Sequence, residues 1–184
     1  MNKFLLCFSL GAFLLSCNND KDKSATTDED KPVVATDSAK PAVDLPYTAR
    51  YTSNFSNDVS DADLRMVLTS YKDWADANYD GMSKALGDSL SWDMTTGAHF
   101  MLPNAGIIKL WKTYRDSLSS VRIVMDAWHK MYATDKKNAF IVTWYDEYDT
   151  YKTGKVDSAA YHDINLIKDG KIVELSQYKR PLKH

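Results

Sequence analysis

The chain has 184 residues, a formal net charge of −2, 44% hydrophobic residues and two cysteines. That length allows one ordinary domain plus an extension, and the slightly acidic balance lacks the basic footprint of a nucleic-acid binder. Both cysteines lie in the first seventeen residues, so the remainder holds no disulfide, no thiol nucleophile and no thiolate ligand. His99, His129, His162 and His184 show no HExxH-type spacing, so no metal site and no other cofactor is implied.

Residues 1–16 read as a signal peptide. Lys3 gives a positive start, and Phe4 to Leu15 is almost wholly apolar. Such a run is too short to cross a hydrocarbon core of roughly 30 Å, which needs about twenty helical residues. Leu14-Leu15-Ser16-Cys17 resembles the bacterial lipobox, in which the cysteine thiol is lipid-modified and becomes the new N-terminus. By the same resemblance, Asn18 after the cysteine implies the outer membrane of the cell envelope, facing either the periplasm or the cell surface. Residues 17–46 then form a tether. From Asn18 to Leu45 it is rich in Asp, Lys, Ser, Thr, Ala and Pro, without an aromatic residue. It cannot bury enough apolar surface to offset the entropy of ordering.

Residues 47–184 form the domain, with helices first and strands after. Ser60-Asp61-Ala62-Asp63 has the form of an N-cap with an acidic first turn, and Leu64, Val67, Leu68, Tyr71, Trp74 and Ala75 follow on one helical face. Asn78 to Gly81 interrupts that helix, and a short one over Met82 to Leu86 ends at Gly87. Leu90, Trp92 and Met94 alternate with polar residues as a first strand; after Pro103, Ile107 to Leu118 reads as another helix. From Val121 the period becomes two, with strands at about 121–132, 139–150, 156–168 and 171–180. Asp169-Gly170 suits a two-residue type I′ hairpin turn. Helices preceding an antiparallel meander predict an α+β domain.

Two stretches carry a family resemblance. The opening runs through Val67-Leu68-Thr69-Ser70-Tyr71-Lys72-Asp73-Trp74, Asn78-Tyr79-Asp80 and Leu86-Gly87-Asp88-Ser89-Leu90-Ser91-Trp92. The closing hairpin runs from His162 to Glu174. Together they resemble the nuclear transport factor 2-like superfamily, especially its SnoaL-like bacterial members, over about residues 59–180. The resemblance implies a cone, in which a curved antiparallel sheet wraps around N-terminal helices and leaves a pocket at its open end.

Alternation then assigns faces. It places Leu90, Trp92 and Met94 inward on the first strand, and Val121, Ile123, Met125, Ala127, His129 and Met131 inward on the second. Phe140, Val142, Trp144 and Asp146 follow on the third, His162, Ile164 and Leu166 on the fourth, and Val173, Leu175 and Gln177 on the fifth. A two-residue turn at Asp169-Gly170 pairs Leu166 with Val173, Ile164 with Leu175 and His162 with Gln177, making Gln177, His162, Trp144 and a residue near Ala127 one row. The expected pocket is Trp92, His129, Trp144, Asp146, His162 and Gln177, suited to a small apolar or aromatic ligand. The opposite face, with Trp128, Tyr132, Tyr145 and Tyr161, is the expected homodimer interface; the alternative is a terminal segment folded over that patch.

Three functions remain open on the sequence. The first is a membrane-anchored, non-catalytic domain for a small ligand. The second is a cofactor-independent isomerase, cyclase or hydrolase-like enzyme with His162, or else Asp146, as general base. Catalytic superfamily members such as ketosteroid isomerase imply this reading, whereas Leu175 and Gln177 depart from the His and Asp that cyclase-like members often carry on the last strand. The third is a homodimeric interaction module. The anchor is directly testable. Cys17→Ser should abolish lipidation and shift the protein from the membrane to the soluble fraction after ultracentrifugation. Retention in the membrane would contradict the lipoprotein reading.

Overall fold

The computed structural model describes residues 44–182, so the signal peptide, Cys17 and most of the tether lie outside the described residues. Chain order begins with β1 (Phe55–Ser56), α1 (Asp61–Ala75) and α2 (Tyr79–Ala85). These are followed by β2 (Leu86–Asp93), β3 (His99–Pro103) and α3 (Asn104–Arg115), and then by four long strands: β4 (Leu118–Ala133), β5 (Asn138–Tyr151), β6 (Val156–Lys168) and β7 (Lys171–Pro181). Ser60 caps α1 as its sequence predicts, its Oγ accepting from the Asp63 amide at 2.9 Å. Asn78 caps α2 in the same way through the Gly81 amide. Ala77, at φ 57°, reverses the chain between the two helices.

One seven-stranded sheet has the order β1-β4-β5-β6-β7-β2-β3. The meander β4 to β7 is antiparallel, as expected from the sequence, but β2 joins β7 in parallel and β3 extends that edge by a hairpin. Neither β1 nor β3 is apparent in the sequence pattern. The architecture is an α+β cone: the helices fill the concave side of the sheet around Val67 of α1, Leu90 of β2, Ile107 of α3 and Ile141 of β5, each fully buried. Burial of each contributes about 1.5–3 kcal/mol relative to exposure.

Two bulges set which residues face that interior. The Asp169-Gly170 turn forms with both residues at positive φ, and Lys168↔Lys171 and Ile167↔Ile172 pair across it as expected. The register then shifts, so that Leu166 pairs with Glu174, Ile164 with Ser176 and His162 with Tyr178. The expected partners Val173, Leu175 and Gln177 are each displaced by one. Val173 is the extra residue, so that Ile172 and Leu175 both line the concave side, with Gln177 beyond. Leu175 and Gln177 are thus correctly assigned inward, but the faces of β6 and β5 are inverted: Tyr161, Asp163 and Asn165 point inward, with Tyr145 and Glu147. A second bulge near Asp126 in β4 keeps Val121, Ile123 and Met125 beside the inward Asp149, Glu147 and Tyr145. Past it, Trp128, Lys130 and Tyr132 take the inward phase opposite Thr143, Ile141 and Ala139.

The expected site residues are corrected accordingly. Trp144, Asp146, His162 and His129 lie on the convex face, away from the cavity, and the candidate general bases His162 and Asp146 go with them. The expected interface residues Tyr145 and Tyr161 line the cavity, and Tyr132 packs on the core. Trp128 is half-exposed on the concave phase. The row itself survives in altered form as Tyr178, His162, Trp144 and Ala127. Trp144 stacks on His162 at 4.8 Å, and His162 leans on Tyr178 at 5.8 Å. Toward the other end of β5, the segment before β1 reaches Phe140, with Tyr51 edge-on to its ring at 6.4 Å and accepting from Asn138 Nδ2 at 2.6 Å.

Candidate functional site

A cavity of about 500 Å³ opens between α1, α3 and the concave side of β5, β6 and β7. Its walls are aromatic because α1 and α3 turn their apolar faces toward it. Trp74 of α1 stacks on Tyr114 of α3 at 6.2 Å, and Trp92 of β2 meets Trp111 of α3 edge-on at 5.7 Å, with Phe100 of β3 against Trp92. Met82, Leu110, Ile172 and Leu175 complete the apolar lining. The polar floor consists of Glu147, Tyr161, Asp163, Asn165, Gln177 and Lys179 on the three strands.

Asp163 organises that floor. It is fully buried, and its Oδ2 accepts from Tyr71 at 3.0 Å, Tyr145 at 3.0 Å and Gln177 Nε2 at 3.1 Å. Gln177 in turn accepts from the Trp92 indole at 2.9 Å. Behind Tyr71 stand Thr143, at 2.9 Å, and Asn165, which donates to the Tyr71 hydroxyl at 3.2 Å. Oδ1 of Asp163 is buried without a donor among the described residues. Burial raises the Asp163 carboxyl to about 6, against the opposing pull of Gln177, Tyr145 and Tyr71. Tyr71 and Tyr145 are themselves pushed well up by burial and by the Asp163 charge.

Glu147 is the second buried carboxyl. Its Oε2 accepts from the Trp74 indole at 3.1 Å, and Oε1 has no donor among the described residues. Burial, reinforced by Asp149, lifts its pKa to about 8, while the Trp74 hydrogen bond lowers it. Asp149, next inward on β5, accepts from Tyr114 at 2.8 Å and is also raised by burial. Chemically, Glu147 holds a proton near neutral pH and can release it to a bound molecule, beside a network centred on Asp163. Among the described residues, no group of three or more His, Cys, Asp or Glu side chains is placed to hold a metal ion.

Of the residues expected from sequence, the cavity includes Trp92 and Gln177 and excludes His129, Trp144, Asp146 and His162. Sequence reasoning missed Glu147 and Asp163, which sit mid-strand, each two residues after a tyrosine. The signal was present in the alternating Tyr145-Glu147-Asp149 and Tyr161-Asp163-Asn165 sets, polar groups too central to be surface interruptions.

No protein-family model matches the chain, and no curated protein does. Solved structures do match in fold. An LEH-like epoxide hydrolase from M. tuberculosis aligns with a TM-score of 0.55 at 12% identity, over 65% of this chain and 83% of its own. A nuclear transport factor 2-like protein of unknown function from Burkholderia pseudomallei gives 0.53 at 14%, over 66% and 92%. A putative polyketide cyclase from Xanthomonas campestris pv. campestris gives 0.52 at 17%, over 67% and 92%. The fold is therefore that of the nuclear transport factor 2-like proteins, and these matches extend to fold alone.

The Glu147 carboxyl makes a pH-dependent prediction. Its folded pKa of about 8 lies above the ordinary 4.5, so the folded state binds its proton more tightly than the unfolded chain. The associated stability is fully present below about pH 4.5 and is lost as pH rises through about 8. Glu147→Gln, which keeps an acceptor for Trp74, should match the parent at pH 4 and exceed it at pH 9 by on the order of 1 kcal/mol or more. Urea denaturation at both pH values measures the difference; equal stability at pH 9 would contradict the burial of this carboxyl.

Proposed function

We propose that the domain binds a small molecule with an aromatic or apolar body in the α1–α3–sheet cavity, on a chain held to the cell envelope by lipid at Cys17. The observation that carries this reading is the cavity itself: about 500 Å³, walled by Trp74, Trp92, Phe100 and Trp111, over a floor with two buried carboxyls. Cavities of roughly 300–1,000 Å³ with apolar walls and a few convergent polar groups are the usual form of small-ligand sites. Core packing normally fills such a space, and leaving aromatic faces unfilled loses dispersion contacts that a ligand restores. The fold neighbours, an epoxide hydrolase and a putative polyketide cyclase among them, agree with a pocket for small organic molecules. A His-based enzyme has no support, since His162 lies on the convex face; any proton transfer in the cavity falls to Glu147 or Asp163.

Quenching of tryptophan fluorescence by a neutral two-ring probe such as naphthol tests the pocket. Binding should be saturable, and Trp111→Ala should weaken it by about tenfold through lost stacking area. Trp128→Ala, outside the cavity lining, should leave it unchanged. Non-saturable quenching, indifferent to Trp111, would remove the pocket reading.

A second reading is favoured by the convex face. Trp144 and Tyr178 are 38% and 56% exposed, flanking His162, whose Nε2 is buried without a partner among the described residues. Tyr51 contacts Phe140, nearer the β4–β5 turn, leaving this aromatic row uncovered among the described residues. We propose that a second copy of the chain packs on the row, since exposed aromatic clusters of this kind anchor interfaces. Light scattering at tens of micromolar should give a dimer that Trp144→Glu converts to a monomer. A monomer in both cases rules the dimer out.

A further inference from the structure

Many of the cavity's hydrogen-bond donors are already committed within the protein. Tyr71, Tyr145 and Gln177 spend their polar hydrogens on Asp163, and Trp92 spends its own on Gln177. Trp74 donates to Glu147 and Tyr114 to Asp149. A ligand that needs to be donated to, such as a ketone or a carboxylate, is left with Tyr161, Thr95, Lys179 and the Trp111 indole, and with Glu147 only while that carboxyl holds its proton. The Lys179 ammonium already lies 3.8 Å from Asp157 and 5.4 Å above the Tyr161 ring. What the cavity offers instead is the faces of electron-rich rings and one buried carboxyl, Glu147, with a single donor. Asp163 has three donors on Oδ2 and is fully buried, so Glu147 is the more accessible of the two carboxyls.

We propose that the cavity selects an organic cation: a molecule whose aromatic or apolar body packs against Trp92 and Trp111, and whose amine or quaternary ammonium head sits beside Glu147 against Trp74 and Tyr114. This rests on the ligand-binding reading above and names its chemical class. Ring faces attract cations through their quadrupoles, more strongly when water is excluded, and a buried carboxylate gains most from a partner that brings its own charge. In the empty cavity Glu147 holds its proton to about pH 8. It faces Asp149 on its own strand, Asp163 and Tyr161 on β6, Lys179 on β7 and Trp74 on α1; on α3, Tyr114 and Arg115 act on the neighbouring Asp149. A bound cation must displace the Glu147 proton, so affinity for a non-titrating cation climbs with pH and levels off above that value. A neutral ligand accepting from protonated Glu147 would show the opposite slope.

The test uses the full chain and two isosteric probes, benzyltrimethylammonium and its uncharged carbon analogue neopentylbenzene, read by tryptophan quenching at matched free concentrations. The cation should bind on the order of tenfold or more tightly than the neutral isostere. Its affinity should rise by about tenfold from pH 7 to 9. Glu147→Gln should abolish both the preference and the pH slope. Lys179→Met removes the lining ammonium, together with its lowering of the Glu147 pKa, and should strengthen binding of the cation several-fold at a pH where Glu147 is ionised; it provides a second arm should the first variant fold poorly. Equal affinities for the two probes, or a cation affinity indifferent to both substitutions, overturn the cation assignment and leave the pocket standing. If neither probe binds, the pocket reading itself falls and this inference with it.

Discussion

A carboxyl with no access to water must be satisfied by the protein, and the fold is organised around satisfying Asp163. Its three donors come from α1 (Tyr71), β5 (Tyr145) and β7 (Gln177), and through Gln177 the network extends to Trp92 on β2. Four elements distant in sequence are thereby tied to one atom of β6. Leaving such a group unpaired costs several kcal/mol, so the sheet cannot slip by a residue without forfeiting the network. The same arrangement leaves the floor of the cavity polar and rigid while its walls stay aromatic.

The elements were legible from the sequence because they are local. Ser60 announces α1 through its own side chain, and Asp169-Gly170 dictates its turn through the positive φ that both residues adopt. Sidedness was not legible, because it depends on counting correctly across strands. One unread bulge at Val173 carried a correct inward assignment of Leu175 and Gln177 onto the wrong phase of β6, and the Trp144–His162 pairing passed that error to β5. Neither bulge has a glycine or proline to mark it. The parallel edge formed by β2 on β7 was also invisible, since no turn joins those strands. Gly87 is a trace of it: a Cβ there would sit 3.0 Å from Val173 Cγ1, tight enough that the Val173 side chain at the bulge would have to shift by a few tenths of an ångström.

The inverted phase also explains why the sequence offered two plausible faces. On the concave side, aromatic residues alternate with the buried acids Glu147, Asp149 and Asp163; on the convex side, Trp144 and Tyr178 flank His162 and are themselves partly exposed. Both faces carry large rings, so hydrophobicity could not rank them. The difference is chemical. Buried Asp163, Asn165 and Thr143 each hydrogen-bond Tyr71 of α1, whereas His162 on the convex side has its Nε2 buried with nothing among the described residues to bond it. Polar residues matched to a helix hydroxyl are a better guide to the inside of such a sheet than the rings between them.

Arg115 completes the account of why the cavity stays open. It is buried at the end of α3, yet its hydrogen bonds go to backbone carbonyls rather than to a carboxylate: Ala75 at 3.0 Å, Trp74 at 3.4 Å and Leu118 at 3.5 Å. The first two are terminal carbonyls of α1, where unsatisfied acceptors and the helix dipole favour a cation. Arg115 therefore fixes the end of α1 against the end of α3. Trp74 is held twice, by Arg115 on its backbone oxygen and by Glu147 on its indole nitrogen. A residue held at its backbone oxygen and at its indole nitrogen is restrained from turning into the space beside it. The width between Trp74 and the sheet is thus set by hydrogen bonds outside the apolar lining, which is how an aromatic wall can border an unfilled cavity in a domain this small.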